Sequence, residues 1–157
     1  IDISLAISGV GLKKAKKWTK DLGIKNFNLQ GRGCLGEKMR RQILIHKRSS
    51  FYKKIKNIIF IGTDLPDLCH MDLLNTLIKL KKNDIILGPS NDGGYWLIAF
   101  SEKLLSTNLY LPFINIQWSK ENVLQKTINN FSSIALKYYL LNRKIDIDTI
   151  IDIESRE

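Results

Sequence analysis

The stretch Asn57–Leu68 reads NIIFIGTDLPDL and holds the clearest strand signal in the chain, followed directly by an aspartate. Ile58–Ile61 is a continuous β-branched and aromatic run, which is typical of a strand buried on both faces. Gly62 then leaves room for a ligand to approach the backbone, and Pro66 fixes a turn. The pattern therefore predicts that the strand delivers Asp64 to the edge of a sheet.

A carboxylate at the end of a buried strand has two interpretations. Aspartate is common in turns and at helix N-caps, so Asp64 can be a purely structural residue. Alternatively, Asp64 can hold Mg²⁺ or Mn²⁺, cations that take oxygen ligands and often share them with substrate phosphates. In that case Gly62 and Thr63 would lie beside the substrate.

The composition is that of an ordinary globular protein. The chain has 157 residues, of which 44% are hydrophobic and 25% are charged. This length fits one domain, which we expect to span 1–157. The sequence has neither a secretory signal pattern nor a run approaching the ~18 apolar residues of a membrane helix. Because Ile1 falls almost directly into a strand-like run, we expect the true N-terminus to be missing from this sequence.

Cysteine content and charge narrow the class of protein further. Cys34 and Cys69 are too few for a disulfide framework, so we expect reduced thiols and a cytoplasmic location. The net charge of +10 raises the question of nucleic-acid binding. However, the basic residues are spread over helix-like segments without interleaved aromatic residues, which argues against a nucleic-acid partner. A basic surface would still steer a phosphorylated substrate.

Turn residues divide the chain into strands that alternate with helices, as in an α/β protein with helices on both faces of its sheet. Ligands of such sheets bind outside the carboxyl ends of the strands. Helical spacing predicts that Gly23 stops the first helix and that Ser119 caps the helix carrying Val123. The predicted strands are Asp2–Ser8, Phe27–Gln30, Ile58–Ile61, Ile85–Leu87, Tyr95–Phe100 and Ile134–Leu141.

Two other segments follow predicted strands and carry carboxylates. Asp92 precedes Gly93 and Gly94, which permit either a tight hairpin turn or a backbone amide cradle for an anion, or both. Tyr95 opens the next strand at the same place. Near the chain end, Asp148 either caps a final helix or lies beside a metal.

A third segment, QGRGCLGEKM, contains Gly31, Gly33 and Gly36 just before a predicted helix. Three glycines in this setting can embrace a phosphate or a base at the positive helix N-terminus, although glycine-rich turns are common without any ligand. His46 and His70 lack the context of a nucleophile site, and we expect both to be surface or cap residues.

Taken together, QGRGCLGEKM, IIFIGTDLPDL, DIILGPSNDGGYWLIAF, INIQWSKENVLQKT and IDIDTIID resemble the DUF2064 group, also called the radical-SAM/selenodomain-associated transferase 1 family. Some members are labelled arsenosugar biosynthesis glycosyltransferases. The resemblance covers roughly residues 27–154. It implies the three-layer α/β/α fold of GT-A-like nucleotide-diphospho-sugar transferases, with a mostly parallel mixed sheet.

The resemblance also implies roles for single residues. Asp64 matches the metal-binding aspartate after the central strand, and Asp148 matches a segment where a second metal contact is expected. Asp92, Gly93 and Gly94 match a turn that resembles an acceptor-side or sugar-side loop, where Asp92 can act as a base. A Trp-Ser pair at 118–119 also matches, without an implied role.

Two departures from the family pattern stand out. Cys34 occupies the place of an aspartate, and a thiol is a poorer ligand for a hard cation. Members also begin with a strand and a basic loop resembling a nucleotide-phosphate site, and that segment would precede Ile1. We therefore expect an incomplete domain that lacks its first strand.

The resulting hypothesis is a glycosyltransferase-like enzyme that uses Mg²⁺ or Mn²⁺, a nucleotide sugar and a small-molecule acceptor. The alternatives are a nucleotidyltransferase that releases pyrophosphate and a non-catalytic nucleotide-binding remnant. Fold alone does not decide among them. The sequence indicates neither the donor nucleotide nor an oligomeric state.

Overall fold

The computed structural model describes residues 2–48, 57–106 and 113–145. The chain divides into two compact units, Ile1–Lys53 and Lys54–Glu157. The single domain predicted over 1–157 stays a prediction.

The first unit is a parallel β-α-β arrangement followed by a second helix. Its two strands pair in parallel from Ser4 opposite Asn26 to Ile7 opposite Leu29. The first helix ends where Gly23 takes a φ of +67°, which confirms the predicted helix stop. The elements are β1 (Ser4–Ile7), α1 (Leu12–Asp21), β2 (Asn26–Leu29) and α2 (Leu35–Arg48).

The second unit consists of β3 (Ile58–Ile61), α3 (His70–Leu80), β4 (Ile85–Pro89), β5 (Tyr95–Phe100), α4 (Glu102–Leu105), α5 (Val123–Ser132) and β6 (Tyr138–Leu140). Its strands form a mixed four-stranded sheet in the order β3-β5-β4-β6. The strand β5 pairs antiparallel with both β3 and β4, whereas β4 pairs in parallel with β6. The strand predicted over Ile58–Ile61 is confirmed at both ends.

The core of this unit lies along the two inner strands. All five residues of β4 are buried, as are five of the six residues of β5. By contrast, β3 is only partly buried because it is an outer strand of this sheet, so the burial on both faces predicted for Ile58–Ile61 is wrong. The strand β6 is exposed along its length. Burial on both faces explains why β4 and β5 consist almost wholly of apolar residues.

Two details of the predicted elements were wrong. The helix that carries Val123 has Asn122 as its N-cap, not Ser119, which instead adopts a φ of +61°. The strand predicted over Ile134–Leu141 is shorter, because Ala135 adopts a left-handed conformation with a φ of +55° that ends α5 in a turn. The final helix predicted after Asp148 lies outside the described residues.

The hairpin core depends on a glycine that faces a tryptophan. A Cβ atom on Gly88 would lie 2.6 Å from Cζ2 of Trp96, whose side chain is buried in the core. The indole therefore occupies the space that any other residue at position 88 would need.

We expect Gly88→Ala to lower the free energy of unfolding by about 1–3 kcal/mol, because the indole must move out of a packed core. Urea unfolding measures this loss. As a control, Gly11→Ala adds a Cβ with nothing within 4 Å and is expected to cost less than about 1 kcal/mol. Equal losses for the two variants would contradict the packing argument.

Candidate functional site

The polar segments of the second unit gather at one edge of its sheet. Because β5 runs opposite to both β3 and β4, the strands β3, β4 and β6 all point the same way. The segments that follow these three strands therefore emerge at the same edge, as predicted for Asp64 and Asp92. Asp148 lies outside the described residues, so its place at this edge stays a prediction.

Asp64 lies on a loop that is fixed at its start and in its middle. The Gly62 N–H donates to the Trp96 carbonyl at 3.0 Å, which continues the β3-β5 pairing into the loop. Leu65 is buried in the core beside Trp96. Between these anchors Asp64 is exposed, and among the described residues its carboxylate has neither a hydrogen bond nor an ion pair.

The Asp64 carboxylate folds back over Gly62. A Cβ atom at position 62 would lie 2.8 Å from Oδ1 of Asp64, so any other residue there would displace this carboxylate. An exposed carboxylate without a partner, beside an open stretch of backbone, is suited to serve as one ligand of a hard cation. The remaining ligands of such a cation would come from elsewhere, since the described residues hold no group of three acidic, His or Cys side chains able to bind a metal.

Asp92 is held in the turn between β4 and β5. Its Oδ1 accepts hydrogen bonds from the Ser90 hydroxyl and, at 2.9 Å, from the Gly94 N–H. The Ser90 N–H in turn donates to the Gly94 carbonyl at 3.1 Å. The hairpin predicted from the Asp-Gly pair is confirmed, and Asp92 shapes it while remaining exposed.

Gly93 fastens this turn to the start of α5. It adopts a φ of +87°, and its carbonyl accepts the Leu124 N–H at 2.9 Å. The turn thereby satisfies one of the N–H groups that a helix N-terminus leaves without a partner. A Cβ on Gly93 would overlap the Glu121 carbonyl group, so this contact admits only glycine.

Tyr95 lies behind the turn in an aromatic cluster. Its ring meets Trp118 edge-on at 6.4 Å, and Trp118 lies 6.3 Å from Phe113. The Tyr95 hydroxyl and the Trp118 indole N–H are buried, and neither has a hydrogen-bond partner in the described structure. Burial raises the pKa of Tyr95 well above its usual value, and the nearby Thr127 hydroxyl lowers it by a smaller amount. The phenol therefore stays neutral.

The glycine-rich loop of the first unit is occupied by side chains of the same unit. Gly31 adopts a φ of +73° beside Arg41, whose guanidinium donates to the Gln30 carbonyl and, at 2.9 Å, to the Arg32 carbonyl. Gly33 adopts a φ of +109° beside Glu37, whose carboxylate accepts the Cys34 N–H at 2.9 Å. These contacts give the glycines a structural role, and the ligand role predicted for Gly31, Gly33 and Gly36 stays a prediction.

Sequence reasoning missed two residues at the sheet edge. Ser90 stands two positions before Asp92, a spacing at which short polar side chains often bond within a turn, and this signal was available. Lys144 bonds to the Asp67 carbonyl across 77 positions of the chain, which no local pattern reveals.

Both cysteines are exposed free thiols. In the described parts of the chain, no helix has both the length and the apolar character needed to cross a membrane.

Comparison with known proteins identifies the family of this chain and a solved structure with a similar fold. The model of the family described as "Uncharacterized protein conserved in bacteria (DUF2064)" matches residues 1–120, a range that stops before Asp148. No curated protein matches the chain.

A crystal structure from Desulfovibrio desulfuricans G20 is similar along almost the whole chain. It is provisionally assigned as a nucleotide-diphospho-sugar transferase, and the TM-score is 0.85 at 25% sequence identity. The match covers 99% of this chain and 64% of that protein, so the chain spans less than two thirds of its relative's length. The mixed α/β fold of the nucleotide-diphospho-sugar transferases is thereby confirmed.

The contact between Gly93 and α5 gives a first prediction for this edge. We expect Gly93→Ala to lower the free energy of unfolding by at least about 2 kcal/mol, because it combines a left-handed φ with an overlap against backbone. Gly94→Ala is the matched control, since its Cβ meets only the Asp92 carboxylate at 3.1 Å and the Ser90 hydroxyl at 3.3 Å. Chemical denaturation should show a clearly smaller loss for the control, and the reverse order would refute the argument.

The buried hydroxyl gives a second prediction. Tyr95→Phe should change the free energy of unfolding by no more than about 1 kcal/mol in either direction, because the buried hydroxyl has the Thr127 hydroxyl nearby but makes no hydrogen bond of good geometry. The exposed Tyr139 provides the control variant Tyr139→Phe, which should have no effect. A loss above about 1 kcal/mol for Tyr95→Phe in urea unfolding would mean that the hydroxyl has a partner in solution.

Proposed function

The chain belongs to the DUF2064 family, and we propose that it is a metal-dependent transferase that moves a sugar from a nucleotide sugar to a small-molecule acceptor. The fold shared with a protein assigned as a nucleotide-diphospho-sugar transferase supports transferase chemistry. The observation that carries the proposal is the exposed Asp64 carboxylate, which lies on the loop after β3 at the carboxyl edge of the sheet.

Asp64 would be the protein ligand of Mg²⁺ or Mn²⁺, joined by Asp148 from outside the described residues. Such cations are commonly held by one or two carboxylates together with substrate phosphates, so a single free carboxylate suits the role. When bound, the cation would neutralise the charge that develops on the leaving nucleoside diphosphate. Gly62 and Thr63 would let the diphosphate approach the backbone next to Asp64.

Asp92 would accept the proton of the acceptor hydroxyl as its oxygen bonds to the anomeric carbon and the bond to the nucleoside diphosphate breaks. Both hydrogen bonds to its carboxylate end on Oδ1, which orients the group and leaves Oδ2 without a hydrogen bond among the described residues. Gly93, Gly94 and Tyr95 would border the acceptor. In the first unit, Gly31, Gly33 and Gly36 retain their proposed contribution to substrate binding.

The same proposal includes a cytoplasmic location and small-molecule partners without nucleic acid. Reduced, exposed cysteines are compatible with that compartment. A basic surface would raise the rate at which an anionic nucleotide sugar is captured.

We expect Asp64→Asn to reduce turnover of a nucleotide sugar with Mn²⁺ by at least about 100-fold, because the cation loses its charged protein ligand. The assay uses the full chain encoded by the gene and a panel of uridine, guanosine and cytidine diphosphate sugars. Asp21→Asn, the same chemical change at an exposed helix end, should retain activity. Wild-type turnover in Asp64→Asn would rule out the metal assignment.

The reaction products distinguish glycosyl transfer from the nucleotidyl transfer that the sequence left open as an alternative. Glycosyl transfer releases a nucleoside diphosphate from a nucleotide sugar. Nucleotidyl transfer instead releases pyrophosphate from a nucleoside triphosphate, so detection of pyrophosphate would replace the proposed reaction. Calorimetry that finds no nucleotide binding by the full chain would favour the non-catalytic alternative.

A further inference from the structure

Lys144 is the residue at which several segments of the sheet edge meet. Its side chain is only 15% exposed, and its ammonium lies 2.9 Å from Oδ2 of Asp72. The same ammonium donates to the Asp67 carbonyl at 2.8 Å and lies 5.4 Å from the centre of the Trp96 ring. The ammonium of this largely buried lysine is therefore surrounded by a carboxylate, a carbonyl group and the face of an aromatic ring.

The backbone around Lys144 is tied to the end of β4. Its N–H donates to the Pro89 carbonyl at 3.0 Å, and the neighbouring Arg143 guanidinium donates to the Ser90 carbonyl at 2.7 Å. This pairing continues the parallel β4-β6 ladder to a bridge between Ser90 and Lys144. The base of the Lys144 side chain is thus fixed on one strand while its tip reaches the loop that follows another.

Asp72 gives the ammonium a fixed counter-charge. It stands in the first turn of α3, and its Oδ2 also accepts the Cys69 N–H at 2.9 Å. Burial by itself would raise the pKa of Asp72, but the Cys69 N–H and the Lys144 ammonium together outweigh burial and lower it. The carboxylate therefore remains charged at neutral pH and holds Lys144 against the start of α3.

The loop that carries Asp64 is consequently held at three places. Gly62 is bonded to the Trp96 carbonyl at its start, Leu65 is buried in its middle, and the Asp67 carbonyl is bonded to Lys144 at its end. Of these three, the contact with Lys144 is the one made by a charged group.

We propose that Lys144 is a positioning residue, whose ammonium holds residues 62–68 in the conformation that presents Asp64 to the cation. The functional half of this inference, that Lys144 affects cation binding, rests on the proposed function. Its structural half, that Lys144 holds residues 62–68, rests on the contacts alone. Lys144 acts through the Asp67 carbonyl and touches neither cation nor substrate in this scheme.

The structural half is tested by amide hydrogen exchange in the full chain, measured by NMR. Lys144→Met keeps the aliphatic stem and removes the ammonium. We expect the amides of Gly62 and Leu68, which donate to Trp96 and Leu65, to exchange about tenfold faster, with unchanged rates in β4 and β5. Lys82→Met, at an exposed lysine of the same unit, should change none of these rates.

A second variant keeps the test decisive if Lys144→Met does not fold. Asp72→Asn retains an oxygen for the Cys69 N–H and removes the counter-charge, so we expect the same two amides to exchange severalfold faster. Unchanged exchange at Gly62 and Leu68 in the folded variants would overturn the proposal. An equal acceleration throughout β4 and β5 would also overturn it, because Lys144 would then support the fold as a whole.

The functional half is tested by calorimetric titration of Mn²⁺ in the presence of a nucleoside diphosphate. Lys144→Met should weaken Mn²⁺ binding at least fivefold, and Lys82→Met should not. Faster loop exchange with wild-type Mn²⁺ affinity would overturn the link between Lys144 and the cation while leaving the proposed function intact. Absence of Mn²⁺ binding in the wild-type protein would instead refute the proposed metal site, and the exchange experiment would still decide whether Lys144 holds the loop.

Discussion

The direction of β5 is the constraint on which the candidate site depends. This strand lies between β3 and β4 and runs opposite to both, so β3 and β4 are forced to end at the same edge. The parallel pairing of β6 with β4 brings the segment 141–145 to that edge as well. Three segments that are distant in sequence thereby become neighbours through strand direction alone.

Specific polar contacts then fix how these segments lie at the edge. The Gly93 carbonyl caps α5, the Ser90 hydroxyl and Gly94 N–H hold Asp92, and the Lys144 ammonium ties the loop after β3 to α3. Together these bonds connect the loop after β3, the hairpin turn and the starts of two helices. Asp64 differs from these groups, since it is exposed and its carboxylate is not engaged by the described residues. Hydrogen bonds that fix the edge around one unengaged carboxylate are the arrangement that the proposed cation site requires.

Much of this fold follows from local pattern, and the part that does not depends on long-range pairing. Both ends of the strand Ile58–Ile61 were predicted correctly, because a short, continuous run of β-branched residues is typical of a strand. The Asp92–Gly94 hairpin followed from turn chemistry in the same way. By contrast, the cap at Asn122 and the left-handed Ala135 are set by how the ends of α5 pack, which residue preference does not specify.

The same distinction applies to the candidate site. The position of Asp64 just after a strand was predictable, because the apolar run and the aspartate that follows it are both visible in the sequence. The contacts of Lys144 were not predictable, since nothing in the sequence distinguishes this lysine from the other residues among the 25 basic ones. Its role arises only when the fold brings Asp67, Asp72 and Trp96 together around it.

The close approach of Gly93 to Glu121 also limits how this site can diversify over evolution. The turn is pressed against the first residues of α5 on one side and anchored in β4 and β5 on the other. An inserted residue would break the register of the hairpin and the helix cap together. Relatives are therefore expected to keep the length of this turn and to vary at the exposed Asn91, since the side chains of Ser90 and Asp92 hold the turn together.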